Sequence, residues 1–95
     1  MDATLITRFK DVAEDGSLVE MVIWRLPAPL PPSRHDYKYR LVYIVDGQHI
    51  IGYDNERGKG DHMHLAGEKF PYHFISLERL VEDFIAEVEL WKSAP

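Results

Sequence analysis

Between Tyr53 and His64 the chain reads YDNERGKGDHMH. Nine of these twelve residues, namely Tyr53, Asp54, Asn55, Glu56, Arg57, Lys59, Asp61, His62 and His64, carry ionisable or hydrogen-bonding side chains. Acid–base chemistry requires groups of different pKa held in one small volume, and this density of carboxylates, cations and imidazoles supplies them. Gly58 and Gly60 fit a turn with unusual dihedrals or a close backbone approach to a ligand. His62 and His64 form an H-x-H pair, whose two rings share one side of an extended backbone. Such a pair suits metal-free proton transfer, because imidazole titrates near neutral pH. It equally suits metal ligation, with the set Asp54, Asp61, His62 and His64, or with Glu56, making an N/O shell. The blander reading of Asp54, Asn55 and Glu56 is a turn that bonds its own backbone.

Lys38 and Arg40 stand two apart in YKYRLVYIVD, so on a strand they point the same way. If that side meets the Asp54–His64 loop, they clamp a phosphate or another anion; otherwise they decorate a solvated strand face. His35 is a further candidate acid or base, or else a turn residue closing the proline loop. The aromatics Trp24, Phe70, Tyr72, Phe74, Phe84 and Trp91 are explained as core or interface residues. No P-loop, dinucleotide fingerprint, nucleophile elbow or helical H-E-x-x-H occurs.

The elements that must position these groups follow from periodicity and turn chemistry. Strands are expected over Ala3 to Val12, Leu18 to Leu26, Tyr37 to Asp46 and Gln48 to Asp54. Asp15-Gly16 and Asp46-Gly47 turn two hairpins. Leu18 to Leu26 is apolar on both faces, which predicts a central strand or one covered on both sides. The four prolines between Pro27 and Ser33 require an extended crossing loop. A short fifth strand fits near Met63 to Leu65 or Tyr72 to Phe74. Leu77, Leu80, Val81, Phe84, Ile85 and Val88 form the apolar stripe of a helix from Leu77 to Trp91, capped by Ser76. The fold class is therefore α+β: an antiparallel four- to five-stranded sheet built from two hairpins, with the C-terminal helix packed on one face.

Ninety-five residues make a single domain, 1–95. With no cysteine, disulfides and thiolate-bound zinc are excluded. No signal peptide or membrane span is visible, so a cytoplasmic location is expected. The net charge of −5 argues against general charge-driven nucleic-acid binding. The charge is uneven, however. Five Lys/Arg balance five acids from Arg34 to His64, whereas five acids face two bases from Ser76 onward.

The segment HDYKYRLVYIVDGQHIIGYDNERGKGDHMH, the W-x-L-P of Trp24 to Pro27 and the acidic helix containing Asp83-Phe84 together resemble the TumE family of toxins from toxin–antitoxin pairs. The resemblance covers most of the chain. One departure is Met63, which stands where the family usually carries a basic residue between the two histidines. The resemblance implies a cognate antitoxin as partner.

The leading expectation is a small ribonuclease with an RNA substrate and no cofactor. His62, His64 and His35 would serve as acid or base, Glu56 or Asp54 as an alternative base, and Arg40 as a stabiliser of phosphoryl charge. Lys38, Arg57, Lys59, Tyr53 and Asn55 would bind substrate. The alternatives are a metal-dependent nuclease and a non-enzymatic module that binds protein or nucleotide without turnover. A homodimer paired through the sheet is compatible with all of them.

Overall fold

The computed structural model describes residues 2–94. Within them the chain forms β1 (Thr4–Val12), β2 (Leu18–Arg25), β3 (Tyr37–Val45), β4 (Gln48–Glu56), β5 (Gly60–Leu65), β6 (Glu68–Pro71) and α1 (Leu77–Ser93). The strands make one antiparallel sheet in chain order, β1-β2-β3-β4-β5-β6. The architecture is α+β as the periodicity predicts, but the sheet has six strands rather than four or five.

One of the tight turns is the expected one, and the extra pairing arises beyond it, at the Glu56–Gly60 tip and at Ala66-Gly67. Asp46 and Gly47 both take left-handed dihedrals (φ 51° and 75°), the two-residue hairpin turn that an Asp-Gly step favours. Ala66 and Gly67 do the same (φ 49° and 88°), which joins β5 to β6. Alanine rarely enters this region, at a cost of about 1–2 kcal/mol, so nothing in the local sequence announced that hairpin. The Asp54–His64 stretch is likewise a hairpin and not a loop. At its tip the Lys59 N–H donates to the Glu56 carbonyl at 3.1 Å, with Gly58 (φ 82°) in the third position of the turn.

The proline segment folds over the end of β3 and docks on this tip. The Gly58 N–H donates to the Pro31 carbonyl at 2.8 Å. Gly60 takes φ 77°, which favours glycine, and an added Cβ would lie a tight 3.1 Å from Pro32 Cγ.

Ser76 caps α1 from an extended conformation, its Oγ accepting from the Arg79 N–H at 3.1 Å. The helix buries Leu80, Phe84 and Val88 against Tyr39, Leu41 and Tyr43 of β3 and Ile51 and Tyr53 of β4. Ile85, expected on the buried stripe, is 49% exposed. A helix resting on a flat sheet needs only the narrow i, i+4, i+8 row, so the flank of the stripe faces solvent. At about 10–12 Å across, a helix covers two or three strands spaced about 4.8 Å apart. β1 is therefore left bare, with Leu5, Ile6, Phe9 and Val12 exposed. β2, expected to be central in the sheet or covered on both sides, is an interior strand paired to β1 and β3, but only Ile23 of it is buried. Among the described residues no element packs on the other face of the sheet.

Candidate active site on the open face of the sheet

Strand alternation sends Tyr39, Leu41 and Tyr43 towards the helix, and Lys38, Arg40, Val42 and Ile44 to the open face. The register then carries rows of side chains across that face. One row runs Arg8, Val22, Arg40, Asp54, His62, Pro71 from β1 to β6. The next runs Lys10, Glu20, Val42, Gly52, His64, Lys69. Directly opposed residues have Cβ atoms about 4.5–5.5 Å apart, so a guanidinium, a carboxylate and an imidazole stand side by side in the first row. His64 reaches diagonally back to Asp54, with Nε2 3.8 Å from Oδ1.

Arg40, Val42, His49, Gly52, Asp54 and His64 all line one depression of about 320 Å³. Gly52 leaves the floor open: a Cβ there would lie 3.8 Å from the Cβ of His64. The groups are accessible, with 51% of the Arg40, 32% of the Asp54 and 45% of the His64 side chain exposed. Arg40 also meets Glu20 at 3.4 Å, a long and solvated pair that leaves the guanidinium available to an anion. His62 is half-buried one strand away in the Arg40–Asp54 row and does not line the depression itself.

His49 was not singled out from sequence. Alternation from Ile51 and Tyr53 places it on the helix side. A bulge after Tyr43 pairs Ile44 with His49 and leaves Ile50 as the extra residue, which turns the imidazole to the open face.

The same alternation divides the polar segment in two. Tyr53, expected to bind substrate, is 2% exposed, and its ring packs edge-on against Tyr72 and Phe84 at 5.0 and 6.1 Å. Asn55, also expected to bind substrate, is fully buried. Its Oδ1 accepts the Tyr39 N–H at 2.9 Å, and its Nδ2 donates to the Tyr37 carbonyl at 2.7 Å and to Ser33 Oγ at 3.3 Å. The side-chain amide thus takes the place of a peptide group where β3 and β4 part. Met63 pairs with Tyr53 and packs on the core, so the cation missing there is not missing from the open face.

Asp61 lies on the helix side as well. Its Oδ1 accepts from Ser33 Oγ (3.2 Å), His35 Nε2 (2.8 Å) and the Tyr39 hydroxyl (2.9 Å). His35 Nδ1 accepts the Tyr37 N–H at 3.1 Å, so the ring proton sits on Nε2 and both nitrogens are committed. His35, expected as an acid or base, instead locks the proline segment to β5 and stacks on Phe74 at 3.8 Å between ring centroids. Burial, followed by the charge and hydrogen bond of Asp61, pushes the Tyr39 hydroxyl far above the usual tyrosine range.

Because Asp61 faces away from His62 and His64, the set Asp54, Asp61, His62 and His64 does not converge. Among the described residues no three such side chains are grouped to hold a metal ion. Glu56 and Lys59 pair at 3.5 Å at the hairpin tip, exposed and beyond the rim of the depression, and Arg57 is exposed beside them. Lys38 flanks Arg40 on the open face, with its Nζ 3.2 Å from the Asn55 carbonyl.

Comparison with curated proteins gave no match, and comparison with solved structures gave none either. A family model described as toxin TumE matches residues 2–92, which takes in every strand and nearly all of the helix. The chain belongs to the TumE toxin family.

Proposed function

We propose that this toxin is a ribonuclease that cleaves RNA by metal-free acid–base catalysis on the open face of its sheet. The observation that carries the proposal is the row Arg40, Asp54, His62, with His64 beside Asp54 in the same depression. Chain-wide acidity is no obstacle. The open face holds Arg8, Lys10, Lys38, Arg40 and Lys69 against Glu20, Asp54 and Glu56, and it is the local potential that a polyanion meets.

In this reading His64, held by the Asp54 carboxylate, takes the proton of a ribose 2′-hydroxyl. The freed oxygen attacks the adjacent phosphorus, the bond from phosphorus to the 5′-oxygen breaks, and His62 gives that oxygen its proton. Arg40 offsets the charge that grows on the phosphoryl oxygens. The products are a 2′,3′-cyclic phosphate and a free 5′-hydroxyl. The toxin family implies an antitoxin, and a partner that covers the depression would silence this chemistry.

The test is incubation of the purified toxin with a single-stranded RNA in excess chelator, beside its 2′-deoxy counterpart. Cleavage of the RNA to cyclic-phosphate ends, with the deoxy strand intact, is the expected result. Cleavage of both strands, or cleavage abolished by chelation, would refute the mechanism.

A further inference from the structure

Trp24 lies on the open face at the β2 position that pairs with Lys38. Together with Val22, Lys38, Tyr39 and Arg40 it lines a second depression of about 260 Å³. This depression is mainly apolar, and two cations border it. A half-buried indole among solvated charges is unusual for a face that no element covers, since an uncovered strand gains nothing from a large ring left partly in water. Taken from the register, Trp24 is two strands and one row from Asp54, a separation of about 12 Å at ordinary sheet spacings. Arg40 lines both depressions and so stands between them.

We infer that Trp24 is a stacking platform for a nucleobase of single-stranded RNA, next to the scissile phosphate that Arg40 binds beside the Asp54–His64 pair. The inference rests on the ribonuclease reading for its substrate, and it adds the strandedness of that substrate. An indole offers a π-face that any base can stack on. Lys38 and Arg40 supply the charge that follows the backbone between stacked base and reacting phosphate. A duplex keeps its bases stacked on one another and cannot offer one to the ring. An apolar protein segment is the competing occupant of such a depression, but the flanking Lys38 and Arg40 favour a polyanion.

The test uses the intrinsic fluorescence of the whole protein carrying Trp91→Phe. Trp91 is on the helix, on the other side of the sheet, so this variant leaves Trp24 as the only tryptophan, which is excited selectively at wavelengths beyond tyrosine absorption. It is titrated with a 2′-O-methyl oligoribonucleotide, which the proposed chemistry cannot cut, and with the duplex of the same sequence. Saturable quenching by the single strand and not by the duplex is expected. In parallel, Trp24→Leu should raise KM for single-stranded RNA roughly 5- to 150-fold, the range of one lost base stack, with kcat within about twofold. Trp24→Phe, which keeps a ring, should recover part of the loss.

Absent quenching, equal quenching by the duplex, or quenching by the antitoxin alone would overturn the inference. Quenching by the single strand without any cleavage would uphold the stacking site while defeating the ribonuclease reading. Cleavage with neither quenching nor a change in KM would do the reverse. If Trp24→Leu fails to fold, the titration with tryptophan in place decides alone.

Discussion

Asp54 and Asn55 are neighbours in sequence, yet the register gives them opposite tasks, and a pair of variants separates these tasks. Asn55→Ala removes three side-chain hydrogen bonds from a site with no solvent exposure. The Tyr39 N–H and the Tyr37 carbonyl lose their partner, and each orphaned group costs about 1–3 kcal/mol. The total is about 2–6 kcal/mol, a large share of the roughly 5–15 kcal/mol that holds a domain of this size together. At about 4–8 °C per kcal/mol, Tm should fall by at least about 8 °C. Asp54→Asn alters a side chain that is 32% exposed and whose ion pair with His64 spans 3.8 Å. Its effect on stability should stay within about 0.5 kcal/mol. Thermal unfolding followed by far-ultraviolet circular dichroism measures both. An Asn55→Ala protein melting within about 3 °C of the parent, or an Asp54→Asn protein as unstable as Asn55→Ala, would refute the division of the segment between two faces.

Alkaline pH should unfold the protein. Burial, aided by hydrogen bonds to Asp61 and Asp83, holds the Tyr39 and Tyr72 hydroxyls far above their usual range, and burial next to Glu87 and Asp83 pushes Tyr53 up to about 12. The folded chain then keeps protons that the unfolded chain releases near pH 10. The contribution is full below pH 10 and is lost above it, at up to about 1.4 kcal/mol per pH unit for each group and less where solvent screens the site. Urea midpoints should fall sharply between about pH 10 and 12, more than in Tyr39→Phe, and equal midpoints would contradict the burial argument. Gly52→Ala should fold, because its Cβ would meet His64 and the Leu41 carbonyl at ordinary distances of 3.8 and 3.9 Å. Its methyl would stand on the floor of the depression and slow RNA cleavage by about tenfold or more; an unchanged cleavage rate would remove that depression from the site.

Much of the scaffold was legible because its signals are local. The Asp-Gly steps fixed two hairpins, Ser76 fixed the start of the helix, and alternation in Tyr37 to Val45 placed Lys38 and Arg40 together, away from the tyrosines. What escaped depends on distant pairing. The β5–β6 turn needs Ala66 in a conformation that only the finished ladder enforces, and His49 changes face because of a bulge. The polar segment was legible as a concentration of chemistry, but not as a strand pair. Once it is one, Tyr53, Asn55 and Asp61 must turn inward while Asp54, His62 and His64 turn out. His35 looked reactive for the same reason that it proves structural: a polar ring beside the proline segment serves equally well to hold that segment down.

The proposed chemistry requires the open-face imidazoles of His62 and His64 to carry the reaction. The direct measurement is the single-turnover cleavage rate of a single-stranded RNA by His62→Ala and His64→Ala, each shown to be folded, beside His73→Ala, whose imidazole lies in a separate depression next to His35 and Tyr72. Loss of an acid or base from the site should lower the rate by about 10²–10⁴-fold in the first two, with His73→Ala at the parental rate. Parental rates for folded His62→Ala and His64→Ala, or an equal loss in His73→Ala, would contradict it.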